Sequence, residues 1–142
     1  MRTEKSELVK NRSALKMAAD KLYAEAKSGA VALEENDASA YLSSLEERDT
    51  IIAHMDALEK RYEVIKGNVS EDERVELKKI ESETREILHL VLRTDDAARD
   101  KAKALMDEYR KKLRELKKSG KQVSGYMQMY TNPDGIFIDR KR

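Results

Sequence analysis

Apolar positions recur along this chain in steps of three and four, the spacing that puts one stripe on one face of an α-helix. The longest such stripe runs from Ala98 to Tyr130. Its members are Ala98, Ala102, Met106, Tyr109, Leu113, Leu116, Gly120, Val123, Met127 and Tyr130. After Ala102 the steps alternate four and three, a 3.5-residue period that keeps the stripe facing a partner helix. Gly120 and Gly125 lower helix propensity within it without breaking the register. A seam of this length must be covered by the rest of the chain, by a second copy in a homodimer, or by a client.

Three more helical segments precede it. The first is expected over about residues 4–35, on Leu8, Leu15, Leu22, Ala18 and Ala26, with Gly29 as a weak point. Asn36-Asp37 breaks the pattern, and Asp37 is a good N-cap for a second helix over about 38–66. The second stripe is Tyr41, Leu42, Leu45, Ile52, Met55, Leu58, Tyr62 and Ile65, and Arg48 interrupts it. Two readings of Arg48 are open. Its stem packs while the guanidinium reaches water, or it is fixed in an ion pair with an acid on a neighbouring helix. Gly67-Asn68 reads as a C-cap pair.

Ser70 with Glu73 forms a capping box for a third helix, and Glu71-Asp72-Glu73 suits its dipole. The seam Leu77, Ile80, Thr84, Ile87, Val91, Thr94, Ala98 follows. Ala98 to Ala102 is a second consecutive step of four, a stutter that locally unwinds a helical stripe. Thr94-Asp95-Asp96 reads equally as a break with a fresh N-cap. We expect two helices, over 71–93 and 95–130, because one helix that long lacks an obvious intramolecular partner. The dense turn signal Asn132-Pro133-Asp134-Gly135 ends the pattern. The apolar triplet Ile136-Phe137-Ile138 and the tail Asp139-Arg140-Lys141-Arg142 then close a segment, 132–142, outside the helical domain 1–131. The expected fold is all-α, an elongated antiparallel bundle of three to four long helices with coiled-coil-like packing.

Composition sharpens this. In 142 residues, charged side chains make up 40% and nearly cancel, leaving +1. That balance with clear periodicity indicates long exposed helices and argues against a general nucleic-acid binder. The chain has no cysteine, which removes thiol catalysis and thiolate metal sites. The start, Met1-Arg2-Thr3-Glu4-Lys5, has no apolar core behind it, so no signal peptide is expected. No apolar run approaches the roughly 20 residues that span a bilayer, so no stable membrane insertion is expected. A cytoplasmic protein fits these features.

Catalytic signals are absent. His54 and His89 lie on different helices, outside any H-E-x-x-H pattern, and read as surface residues. Glu46-Glu47 and Asp95-Asp96 are adjacent, so on a helix they point about 100° apart and make a poor acid–base dyad. No phosphate-binding glycine loop or nucleophile elbow occurs. No enzyme activity, cofactor or metal is expected. One charged patch stands out: Arg110, Lys111, Lys112, Arg114, Lys117, Lys118 and Lys121 against the single acid Glu115. It reads as a solvated helix back or as a docking face for an acidic surface or an anionic membrane.

The order of these features resembles a known family. A long first helix is followed by Asp37-x-x-x-Tyr41-Leu42-x-x-Leu45-x-x-Arg48-Asp49-x-Ile51-Ile52. A last helix ends at Tyr130, then comes Asn132-Pro133 and Asp134-Gly135-Ile136-Phe137-Ile138-Asp139-Arg140-Lys141-Arg142. This is similar to flagellar export chaperones of the FliT type, with the FlgN type, which serves hook-associated proteins, a close second. Ile138 stands where that family usually has an aromatic residue. The resemblance implies a cytosolic helical bundle without catalysis. Such a bundle binds the C-terminal helical region of a filament-cap (FliD-like) subunit, blocks its premature assembly and hands it to the type III export apparatus. The apolar stripes would offer such a client Leu45, Ile52, Met55, Met106, Tyr109, Leu113, Leu116, Val123, Met127 and Tyr130. A helical-bundle or coiled-coil adaptor outside the flagellum is the other reading of the same pattern.

Overall fold

The computed structural model describes residues 6–118, and among them it is a bundle of three α-helices without strands. They are α1 (Glu7–Glu34), α2 (Ala38–Ile65) and α3 (Glu71–Lys118). α1 is the shared partner: α2 and α3 both lie along it, while they approach one another closely at few points. At about 1.5 Å per residue, α3 is roughly 70 Å long against some 42 Å for each of the others.

Local chemistry sets the helix ends. The Ser6 hydroxyl accepts from the Val9 amide at 3.1 Å to start α1. At the other end Asn36 adopts φ 55°. Its amide donates to the Leu33 carbonyl at 3.1 Å and the Asp37 amide to the Ala32 carbonyl at 2.9 Å. This is a Schellman cap with asparagine in the left-handed position that glycine usually takes. The Asp37 carboxylate then accepts from the Ala40 amide at 3.0 Å, so the three residues between the helices both end α1 and start α2. The Ser70 hydroxyl accepts from the Glu73 amide at 3.1 Å, as the capping box requires. Gly67 does not play the expected capping role. The chain leaves α2 through Lys66 in an extended conformation (ψ 148°).

The expected division of α3 near Thr94 is corrected: one helix runs from Glu71 to Lys118. The three residues that read as a break are each engaged elsewhere. The Thr94 hydroxyl donates back to the Leu90 carbonyl at 2.8 Å. The Asp95 carboxylate is held by Arg48 on α2. Asp96 pairs with Arg99 one turn on, at 2.8 Å. None of their side chains is left to cap a new helix. The missing intramolecular partner is α1 itself, which accompanies α3 as far as the Asn36 turn.

Gly29, expected only as a weak point, packs tightly against α2. A Cβ built there would lie 3.1 Å from the Ser44 Oγ and 3.5 Å from the Tyr41 ring. Ser44 in turn donates to the Glu25 carbonyl at 2.7 Å. Two apolar clusters result. The upper one joins Ala32, Leu33, Ala38, Tyr41 and Leu42 to Ala102, Leu105, Met106 and Leu113. The lower one centres on Leu22, Ala26 and Val91.

A half-covered seam between α2 and α3

α2 carries Leu45, Arg48, Ile52 and Met55 at steps of three, four and three. α3 carries Leu88, Val91, Asp95 and Ala98 at the same steps. The two stripes run antiparallel, and Arg48 and Asp95 fix their register. Arg48 donates from both terminal nitrogens to both oxygens of Asp95, at 3.0 and 2.6 Å. Arg48 is 5% exposed and Asp95 7%. On one side of this fork, Leu45 and Ala98 pack against the upper cluster. On the other, Ile52, Met55 and Leu88 pack against the lower one, with Tyr23 and Ile51.

The seam is only half closed. Leu45, Ile52, Met55, Leu88 and Ala98 are each partly exposed, although Val91, Leu22 and Ala26 beneath them are buried. Two helices that both rest on a third leave a strip of partly exposed apolar side chains between them, over Leu22, Ala26 and Val91, which are buried. Another amphipathic helix laid there would convert three helices into four, the arrangement that covers each apolar stripe.

The environment of the fork is dry. Tyr41, 4% exposed, has its phenol pushed up to about 12, chiefly by burial. Arg48 pulls the value down and Asp95 adds to the rise. Thus the ion-pair reading of Arg48 holds, and the snorkelling one does not. Asp95 was missed as its partner because Thr94 reads as the seam residue at that step. Thr94 is half-buried, whereas Asp95 is buried.

The far end of the α1–α2 hairpin is stitched by polar contacts. The Asn11 side-chain amide donates to the Leu58 carbonyl at 3.0 Å, and Arg12 reaches Glu59 at 3.3 Å. The Arg12 guanidinium also stacks on the Tyr62 ring, 3.9 Å from its centroid. Arg61 pairs with Glu7 nearby.

The expected client-contact residues separate into four groups. Leu45, Ile52 and Met55 line the seam. Met106 and Leu113 are core residues, 2% and 5% exposed, turned into the upper cluster of their own chain. Tyr109 packs on that cluster and lines an open recess with Asp37 and Lys112, while Leu116 is 39% exposed. Val123, Met127 and Tyr130 lie outside the described residues, as do Lys121 and the 132–142 tail. In the basic patch, Lys111, Arg114, Lys117 and Lys118 are exposed and Arg110 pairs with Asp107 at 2.8 Å.

His54 and His89 are both exposed. Among the described residues no three His, Asp or Glu side chains converge as a metal site would need, and no helix is long and apolar enough to cross a membrane. No family model, curated protein or solved structure matches the chain.

Proposed function

We propose that this chain is a cytoplasmic export chaperone of the FliT type. In this reading it holds the C-terminal amphipathic helix of a filament-cap subunit, keeps it from assembling early and passes it to the type III export apparatus. The observation that carries the reading is the half-covered seam. Ile52, Met55 and Leu88 form a partly exposed apolar strip over the buried Leu22, Ala26 and Val91, and an amphipathic helix is a shape that covers such a strip. The resemblance in sequence supplies the identity of the client. Methionine suits this role because its unbranched side chain adapts to different partners.

The test is capture by immobilised C-terminal peptides of flagellar cap and hook-associated subunits. Retention on the cap peptide supports the proposal. Retention on the hook-associated peptides alone points to the FlgN type. Retention on none rejects the chaperone reading and favours an adaptor with another partner.

A further inference from the structure

The polar contacts of the bundle are unevenly distributed. α1 and α2 are tied together by Ser44, Asn11, Arg12 and Arg61 along most of their length. Below Ala98, α3 meets that hairpin through Ile80, Thr84 and Val91, whose hydroxyl member bonds within its own helix. The Arg48–Asp95 fork is a buried polar link from this half of α3 to the hairpin. Above it, Ala102, Leu105 and Met106 anchor α3 in the upper cluster. The stutter from Ala98 to Ala102 lies between the anchor and the fork.

A buried ion pair is an odd choice for one step of an apolar seam. Two apolar residues of similar volume hold such a step at least as firmly, because the charges lose their water on burial. What the fork adds is an all-or-none character. Its two parallel hydrogen bonds form in one register only, and once apart both charges regain water. Apolar pairs tolerate slippage; a bidentate pair is either closed or open.

We propose that Arg48–Asp95 is a latch. Closed, it holds the N-terminal half of α3 against the α1–α2 hairpin; open, it lets that half swing about the stutter and uncover Leu22, Ala26, Ile52 and Met55. The client-binding consequence rests on the chaperone reading above, whereas the latch itself does not.

The absence of native cysteine makes a distance measurement direct. Spin labels are placed on cysteines introduced at two exposed positions, Asp56→Cys on α2 and Arg85→Cys on α3. The distance distribution is recorded in the otherwise wild-type chain, in Arg48→Ala, and in the apolar pair Arg48→Met/Asp95→Leu. Arg48→Ala leaves Asp95 buried without its counter-ion and should raise the long-distance population at least tenfold. The apolar pair should remove it. One distribution common to wild type and the apolar pair, with no long-distance population gained in Arg48→Ala, overturns the latch. If Arg48→Ala melts below the measuring temperature, the apolar pair decides: a long-distance population equal to that of wild type overturns it. Cap-peptide affinity, measured in parallel, should fall at least tenfold in the apolar pair. A cap peptide that binds no version of the protein refutes the chaperone reading and has no bearing on the distances.

Discussion

Met106→Ala separates core from contact surface. The sequence pattern makes Met106 a client-gripping residue, while its 2% exposure and its place among Leu33, Tyr41, Leu42 and Leu105 make it part of the core. Truncation deletes Cγ, Sδ and Cε. Burying a methionine side chain is worth about 1.5–3 kcal/mol in transfer alone, and the void adds to this. Ala32, Ala38 and Ala102 belong to the same cluster, and methyl groups reach poorly into a cavity. A loss of about 3 kcal/mol follows, within the 2–5 range known for such truncations. For a chain of this size that is roughly a 12 °C drop in Tm. The assay is helical circular dichroism against temperature, with peptide titration at a temperature where both proteins are folded. There the variant should bind a client helix within about threefold of wild type. A Tm drop under about 3 °C together with a tenfold loss of peptide affinity would refute the reasoning and return Met106 to the contact surface.

Two further perturbations test the packing and the dry centre. Gly29→Ala gains roughly 1 kcal/mol of helix propensity but presses on Ser44 Oγ at 3.1 Å, endangering a hydrogen bond worth about 1 kcal/mol. The single variant should therefore melt within about 2 °C of wild type. Gly29→Ala/Ser44→Ala should melt higher than Ser44→Ala by about 4 °C, and a single Gly29→Ala variant melting higher than wild type by that same amount would exclude the close approach. For Tyr41 the folded phenol titrates at about 12 instead of 10, so the unfolded chain gives up its proton first as pH rises. Stability is full below pH 10 and falls between pH 10 and 12, by up to about 2–3 kcal/mol. Denaturant melts across that range should steepen for wild type and flatten in Tyr41→Phe; matching slopes would contradict the burial.

The sequence made the starts of α2 and α3 legible because strong local signals set them. Asp37 and Ser70 cap as their side chains demand, and the leucine steps of seven face inward as read. What it hid was competition for the same side chains. Thr94, Asp95 and Asp96 carry genuine N-cap chemistry, but a helix-internal bond, a buried arginine and a neighbouring Arg99 claim them first. These are tertiary and medium-range contacts that local pattern does not contain. The seam residues of α2 were found by periodicity, since Leu45, Ile52 and Met55 share one face. Met106 and Leu113 share the same periodicity, yet a stripe is apolar for its own core or for a client alike. Only the positions of α1 and the Asn36 turn distinguish the two. Arg48 held the available clue: a charge in the middle of an apolar stripe calls for an opposite charge on the facing stripe, and Asp95 is the acid at the matching antiparallel step.

The central claim is that the apolar strip between α2 and α3 receives a helix. A photo-crosslinking amino acid placed at Met55, and separately at the outward-facing Ser82 of α3, tests it directly in the presence of the filament-cap subunit. The account predicts a covalent adduct from position 55, mapped to the subunit's C-terminal helix, and none from position 82. Adducts of equal yield from both positions, or none from position 55 while the complex forms, would contradict it.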